Sequence, residues 1–339
     1  MEYVPRLQRG HLEPAAQVNI VSMAAKKNSE QRSRPKHHHW VPQFYLRYYA
    51  TSETRGTDQP QVWIFSKHES DGDEKLTNVR NVCGKRYLYA PQTQSGERDW
   101  ALDDLITGLE GTLSRMWPAL VENRVSIEDH DLRHGLALFV AVMYLRNPRV
   151  RAETEQMHAQ IVKAFESMLF PSDGRPNTIE VEAKGKKYTL STGGWSEYRA
   201  WGKDEHDRFF CDFVRSEAVR LAEHFLKKRW AIVFAEKETF ITTDNPVCLQ
   251  HETRDRYGVE TEGTIITFPL SPTRILAMDD LHSEPANRYY PLAEGAGAAF
   301  NAVLWHKANR FLITGRLVPE VLEEMVSLDT ATDDVGLSS

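Results

Sequence analysis

Three consecutive histidines, His37, His38 and His39, begin an aromatic segment that reads HHHWVPQFYL over residues 37–46. Imidazoles ligate divalent metals, transfer protons near neutral pH and bind phosphate when they are protonated. Side chains alternate between the two faces of an extended chain, so one centre could receive His37 and His39 together, or only one of His38 and His39. The alternative is structural, with the imidazoles bound to backbone carbonyls or capping the aromatic segment.

A carboxylate and an amide, Asp244 and Asn245, follow a predicted strand in the sequence FITTDNPV at residues 240–247. Pro246 favours an extended Asn245, and the two short side chains would then project from the strand end into a cleft. There Asp244 would act as a metal ligand or general base, and Asn245 would orient a substrate. The alternative is an Asx turn, in which the Asp244 carboxylate accepts backbone N–H groups.

Two arginines, Arg146 and Arg149, flank an Asn-Pro pair at the predicted end of a helix. A guanidinium group binds phosphate or carboxylate through two parallel hydrogen bonds, so both arginines are predicted to bind an anionic substrate. The alternative for Arg149, and for Arg151 just beyond it, is a cation that stabilises the helix dipole.

Composition argues against several classes of protein. The chain has 339 residues, with 48 acidic and 42 basic side chains and a net charge of -6, which argues against nucleic-acid binding over the whole surface. Its apolar runs are shorter than the roughly 20 residues that span a bilayer, and its first residues lack a secretory pattern. Three widely separated cysteines fit neither a disulfide framework nor a metal knuckle, which predicts a reducing, cytoplasmic location. Walker-type, dinucleotide-binding, zinc-protease and serine-hydrolase motifs are missing from the sequence.

The hydrophobic periodicity predicts an α+β fold, in which a mainly antiparallel or mixed sheet packs against a bundle of several helices. Apolar residues at helical spacing predict helices over residues 99–123, 126–147, 149–170 and 204–228, with Ser126 as the N-cap of the second. β-branched and aromatic runs predict strands at residues 62–66, 86–90, 230–235, 239–242, 264–268, 274–278 and 310–313, the last five in one sheet. Residues 171–195 are rich in Gly, Pro and Lys and predict an exposed excursion or hairpin.

Charge divides the chain into three regions. Residues 1–36 are predicted to be a disordered basic arm, because residues 26–36 carry five basic side chains and one acidic one, and Met23 is a candidate translation start. Residues 37–316 are predicted to form one composite domain, helical over about 99–228 and strand-rich over about 230–314. Residues 317–339 have six acidic and no basic side chains and are predicted to be an acidic tail, mobile over about its last ten residues.

Four motifs in this order resemble the bacterial domain-of-unknown-function family four-two-three-eight. They are HHWVPQFYL at 38–46, RNP at 146–148, ITTDNPV at 241–247 and FPLSP at 268–272, and the resemblance extends over about residues 37–311. The family signature pairs two histidines with a later Asp-Asn-Pro, which would correspond to His38, His39, Asp244, Asn245 and Pro246. The additional His37, and Trp40 in place of a smaller aromatic residue, depart from the pattern. The resemblance implies a shared α+β fold and supplies no established activity.

These observations lead to a hypothesis in which the histidine segment meets Asp244, Asn245 and Arg146 in one cleft. The site would hydrolyse a phosphate ester or nucleotide, with His38 or His39 as acid–base group, and with His39 and Asp244 as ligands if a divalent metal assists. The rival is a non-enzymatic module that senses a small anion or docks a partner protein, with nucleic acid as a further candidate partner of the basic arm. In a third hypothesis, the histidines and Asp244 form their hydrogen bonds with backbone groups and have only a structural role.

Overall fold

The computed structural model describes residues 34–68, 74–167, 178–183, 186–191 and 194–335. The predicted disordered arm, up to residue 33, lies outside the described residues, as do the last four residues of the predicted tail. The described ranges contain eight α-helices and thirteen strands, which form antiparallel and mixed sheets, and this confirms the α+β prediction. The helices are α1 Gln43–Leu46, α2 Ala101–Val121, α3 His130–Leu145, α4 Pro148–Ser167, α5 Trp195–Arg199, α6 Lys203–Lys227, α7 Ala296–Lys307 and α8 Val318–Val335.

Helix α3 is the central helix, and its buried stripe is the predicted one. Leu132, Leu136, Phe139, Val140 and Met143 are all at most 2 % exposed. The N-cap differs from the prediction. The Asp129 carboxylate accepts the N–H of Leu132 at 2.9 Å, whereas the Ser126 hydroxyl accepts the N–H of Glu128 and stabilises the turn before the helix.

The strands are β1 His37–His39, β2 Gln61–Ser66, β3 Lys75–Asn78, β4 Gly84–Arg86, β5 Thr178–Ala183, β6 Lys186–Ser191, β7 Arg229–Phe234, β8 Thr242–Thr243, β9 Cys248–Gln250, β10 Ile265–Ser271, β11 Arg274–Asp279, β12 Arg288–Pro291 and β13 Phe311–Thr314. Strands β5 and β6 pair antiparallel, which confirms a hairpin in the predicted excursion.

The placement of the C-terminal strands in one sheet is wrong, because they divide between two. One sheet has the order β12-β7-β11-β10-β9, and the other has the order β3-β2-β13-β8. Strand β13 pairs with the distant β2 and with the short β8, a non-local choice that local strand propensity does not encode. Strand β10 also continues through Pro269 to Ser271, where the register with β11 shifts.

Aromatic side chains join the helices to the sheets. Trp117 of α2 is fully buried and donates its indole N–H to the carbonyl of Leu270 at 3.0 Å. The Tyr45 hydroxyl lies 2.7 Å from the Thr242 hydroxyl and donates to the Pro269 carbonyl at 2.8 Å, so it links the two sheets. The aromatic residues that follow the three histidines therefore belong to the core.

A short antiparallel ribbon, β1 with β4, carries the histidines. His37 pairs with Arg86, His38 with Lys85 and His39 with Gly84. The predicted strand over residues 86–90 is wrong, because the observed strand β4 ends at Arg86, the first residue of the predicted strand. Tyr87 has a φ of 53°, in the left-handed region that ends an extended strand.

The predicted acidic tail is helical through Val335, in α8. Val318, Val321 and Met325 are buried, and Leu322 packs beside them against the cluster that contains Leu312. These four positions follow helical spacing, which the sequence analysis missed because the acidic residues between them dominate the composition. No helix among the described residues is long and apolar enough to cross a membrane.

Candidate functional site

The Asp244 carboxylate holds the turn that precedes β13. One oxygen accepts the backbone N–H of Asn309 at 2.9 Å, and the other accepts that of Arg310 at 3.0 Å. The side chain is 3 % exposed, and burial raises the pKa of this carboxyl, although the backbone donors oppose that effect. Backbone amides therefore occupy both carboxylate oxygens.

Two amide side chains extend this hydrogen-bond network. Asn147, which is 2 % exposed, donates to the Asp244 carbonyl at 3.1 Å and to the Asn245 amide oxygen at 3.0 Å. Asn245 donates in turn to the Lys307 carbonyl at 2.8 Å, at the end of α7. The Asn147 oxygen accepts from the Asn309 side chain at 2.8 Å. The turn between α3 and α4 is thus fastened to the Asp-Asn-Pro turn.

Arg146 lies at the end of α3 with a fully buried guanidinium group. It donates to the Trp40 carbonyl at 2.9 Å and to the Glu110 carboxylate at 2.6 Å, and a third N–H contacts the Met143 sulfur at 3.1 Å. Burial raises the pKa of Glu110, although the guanidinium opposes that effect. A substrate anion at Arg146 would have to displace the Glu110 carboxylate.

His38 faces the protein interior. Its Nδ1 accepts the N–H of Tyr89 at 2.9 Å, so its Nε2 carries the proton in the neutral ring and donates to the Pro35 carbonyl at 3.0 Å. The ring stacks on that of Tyr89, with centroids 5.6 Å apart. The carboxylate nearest to His38 is that of Asp103, at 3.7 Å.

His37 and His39 lie together on the opposite face of the ribbon, as strand alternation predicts. Their ring centroids are 4.9 Å apart. His39 Nε2 is bonded to the Arg80 carbonyl at 3.0 Å, and its Nδ1 lies 3.4 Å from the Gln43 amide. Burial lowers the pKa of His39. His37 is exposed and its ring covers Gly84, where an added Cβ would overlap Nε2.

A family model described as "Protein of unknown function (DUF4238)" matches residues 37–316, which contain every group of this network. The chain belongs to the DUF4238 family. This confirms the family resemblance seen in the sequence motifs, and it carries no statement of activity. The comparison with curated proteins and that with solved structures each found no match.

In this DUF4238 chain, the predicted site residues separate into two groups. Arg146, Asp244 and Asn245 belong to one buried network, linked through Asn147 and through Trp40, whose indole donates to the Asp244 carbonyl at 3.0 Å. No imidazole among the described residues lies within 4.0 Å of the Asp244 carboxylate. Arg149 lies in the first turn of α4, where its guanidinium is 60 % exposed and pairs with Glu153.

The structure also locates polar groups away from these motifs. The described residues contain no group of three or more His, Cys, Asp or Glu side chains placed to hold a metal ion. A cleft of about 410 Å³ lies beside Asp99, Arg208, Cys211 and Asp212, and no predicted site residue lines it. Burial raises the pKa of the Cys211 thiol to about 12, so it stays protonated at neutral pH.

Sequence reasoning missed Glu110, Asn147 and Asn309 as partners in the DUF4238 network. Asn147 stood inside the RNP motif, and its position before a proline was a usable signal for a turn that buries an amide. Glu110 is the single charged residue between Asp104 and Arg115 on an amphipathic helix, and nothing in its local sequence identifies its partner. Only the packing of α2 against the end of α3 identifies it.

His39 is expected to make folding stability depend on pH. Its folded-state pKa lies below the unfolded value of 6.5, so the unfolded state takes up a proton first as pH falls and the free energy of unfolding decreases below about pH 6.5. The raised pKa values of Asp103, Glu110 and Asp244 have the opposite sign, stabilising at low pH and losing that contribution as pH rises. Urea unfolding between about pH 5 and 7 should therefore show that the free energy of unfolding decreases less toward acid pH in His39→Gln than in the parent. Equal slopes in the two proteins would contradict this assignment.

Proposed function

We propose that this chain is a non-enzymatic module that binds a phosphate-bearing anion on the solvent side of the β1–β4 ribbon. We call this surface the ribbon face; it comprises His37, His39, Gly84 and Arg86, with Arg80 beside it. The observation that carries the proposal is the pairing of two imidazoles, 4.9 Å apart, with an arginine directly across the ribbon. Residues opposite each other in an antiparallel pair share a face, so Arg86 and His37 are neighbours there.

The charge around the ribbon face supports an anionic ligand. Residues 34–40 and 80–90 contain five Lys or Arg side chains, three histidines and no carboxylate. Arg34 pairs with Asp104 at 2.8 Å, but among the described residues no carboxylate lies within 4.0 Å of the other four cations. Those four are Lys36, Arg80, Lys85 and Arg86, and each of them is exposed. Arg86 belongs to the ribbon face and Arg80 lies beside it, whereas Lys85 pairs with His38 and so lies on the other face of the ribbon. Guanidinium and ammonium groups without carboxylate partners are the side chains that phosphate recognition uses.

The Asp244 carboxylate already accepts backbone N–H groups, and this favours an anion-binding function over hydrolysis. Asp244 is the only carboxylate that the sequence hypothesis assigned to catalysis, and its oxygens accept N–H groups of Asn309 and Arg310. A general base needs a lone pair within reach of the proton that it removes. The network instead fastens the segment around Trp40 to the turn before β13, which fixes the base of the ribbon.

A hydrolase that uses His39 is the second candidate, because burial lowers the pKa of this half-buried imidazole. A neutral imidazole at neutral pH is suited to act as a general base. Incubation of the protein with p-nitrophenyl phosphate and with nucleoside triphosphates, each with Mg²⁺, Mn²⁺ or Zn²⁺, tests this candidate. Turnover that His39→Gln abolishes would favour the hydrolase over the binding module, and no turnover in the parent would end it.

Substitution of Gly84 tests the ribbon face without removing any charge. A methyl group at Gly84 would displace the His37 ring, whose tip can rotate away, so folding should be retained. Calorimetric titration with pyrophosphate should show affinity reduced about fivefold in Gly84→Ala, the loss expected for one hydrogen bond of about 1 kcal/mol. Parent affinity should also rise as pH falls through the pKa of His39, which burial lowers below 6.5, because a protonated His39 attracts the anion.

The matched control is Gly111→Ala in α2, where an added Cβ meets no atom within 4 Å. This variant should bind pyrophosphate like the parent. The proposal fails if the parent binds no pyrophosphate at about pH 6, or if Gly84→Ala and His37→Ala both bind as tightly as the parent does.

A further inference from the structure

We propose that the ligand of the ribbon face is single-stranded nucleic acid, with its phosphates on the ribbon cations and its bases on an adjacent pair of aromatic rings, Tyr87 and Trp100. This inference rests on the proposed function and names the class of its ligand. The two rings are half-buried, and their centroids are 6.4 Å apart at an interplanar angle of 68°. They lie beside the ribbon on its His38 side, because Tyr87 directly follows Arg86 and the Trp100 ring centroid is 6.0 Å from that of His38.

Guanidinium groups already cover these rings. The Arg98 Cζ atom lies 4.2 Å from the Tyr87 ring centroid, and Arg86 Cζ lies 5.7 Å from it. Arg34 Cζ lies 5.1 Å from the Trp100 ring centroid. Proteins that bind unpaired bases use this combination, in which bases stack on aromatic rings and on guanidinium planes while the cations contact phosphate.

The backbone at Tyr87 is a second, independent observation. Its φ of 53° is unusual for a bulky residue, and such a conformation persists only where surrounding contacts impose it. The Tyr87 N–H donates to the Lys36 carbonyl at 2.8 Å, and the Tyr87 carbonyl accepts the N–H of Ala90 at 3.3 Å. The chain thus holds an aromatic ring at a position that favours glycine or asparagine, which marks the ring itself as the reason for the residue.

The charges around the ribbon and the two rings are mainly positive. The nearby carboxylates of α2 are Asp103, which is 8 % exposed, and Asp104, which pairs with Arg34. Arg98 and the five cations of residues 34–40 and 80–90, less these two carboxylates and Glu97 and Asp99 beside Trp100, leave a local excess of two positive charges, on a chain whose net charge is -6. An anionic strand would therefore be drawn to this surface of the chain.

A single strand fits these features better than a duplex or an anionic membrane does. Aromatic rings gain stacking energy only from bases that are not already stacked in a helix, whereas a lipid surface would use the cations alone. Four cations without carboxylate partners predict a slope of log K against log salt of about -3 for a single strand, at roughly 0.7 for each phosphate contact.

Fluorescence anisotropy with a labelled twelve-nucleotide oligothymidine, and competition with inorganic polyphosphate of the same length, test the inference on the full chain. Tyr87→Asn removes the ring and suits the left-handed backbone, so the variant should fold. It is expected to bind the oligonucleotide about tenfold more weakly and polyphosphate as the parent does. Lys85→Ala/Arg86→Ala should weaken both ligands and reduce the salt slope by about 1.4.

A matched control removes two other exposed cations. Arg254→Ala/Arg256→Ala changes the net charge equally, in the loop between β9 and β10, and should leave binding at the parent level. If Tyr87→Asn binds oligothymidine as the parent does, or if a duplex of equal length competes as well as the single strand, the nucleic-acid inference is overturned while anion binding stands. If neither polyphosphate nor oligonucleotide binds, both proposals fall.

Discussion

Asp244→Ala is expected to lower the free energy of unfolding by about 3 kcal/mol, because it leaves the part-buried backbone N–H groups of Asn309 and Arg310 without the carboxylate acceptor. Each buried donor that loses its partner costs about 1–3 kcal/mol, and the Asp244 side chain is 3 % exposed, so water replaces it poorly. Urea unfolding followed by circular dichroism measures the change. The unfolding midpoint should fall while the m-value stays constant, since the unfolded chain exposes the same surface.

Two controls separate this loss from a general effect of charge removal. Asp244→Asn keeps one acceptor oxygen and should lose about half as much stability as the alanine variant. Asp58→Ala removes an exposed carboxylate and should change stability by less than about 0.5 kcal/mol. Equal stability of parent and Asp244→Ala would contradict the structural role, and a folded variant that still binds pyrophosphate would agree with the ribbon as the ligand site.

Arg146→Leu is expected to lower the free energy of unfolding by about 3 kcal/mol, at the lower end of the range for breaking a buried ion pair. The variant removes hydrogen bonds to the Trp40 carbonyl and to Glu110. The Glu110 side chain is 25 % exposed, so water can reach the abandoned carboxylate and limit the loss. Thermal and urea unfolding of the same preparation measure the effect.

A double-mutant cycle isolates the pair itself. Glu110→Leu combined with Arg146→Leu should be more stable than Arg146→Leu alone, because no carboxylate is left in the protein interior without a partner. Additive losses from the two single substitutions would contradict the coupling that the 2.6 Å contact implies. Pyrophosphate binding measured on each folded variant also tests Arg146 as an anion clamp, since a clamp would lose the ligand together with its guanidinium.

The sequence by itself determined the long local elements. Helices α3 and α6 follow from apolar stripes at a period near 3.6 residues, because a face that repeats at this spacing can be buried whatever it packs against. The alternation of His37, His38 and His39 was likewise predictable, since it depends only on the pleat of an extended chain. The motifs also sufficed to identify the family over about residues 37–311, and the family model matches residues 37–316.

The tertiary structure decided which groups became hydrogen-bond partners and which strands paired. Asp244 could be a base or a turn acceptor until the fold placed the amides of Asn309 and Arg310 against it, 65 and 66 residues further along the chain. The sequence allowed Arg146 to be an anion clamp. In the fold, its guanidinium instead pairs with Glu110 of α2, which lies 36 residues before it in sequence. Strand β13 likewise pairs with β2 and β8, and not with β12, the strand that precedes it in sequence. A hydrogen bond or strand pairing depends on which groups become neighbours after the core has packed, and local sequence fixes the donor and acceptor types without fixing that neighbourhood.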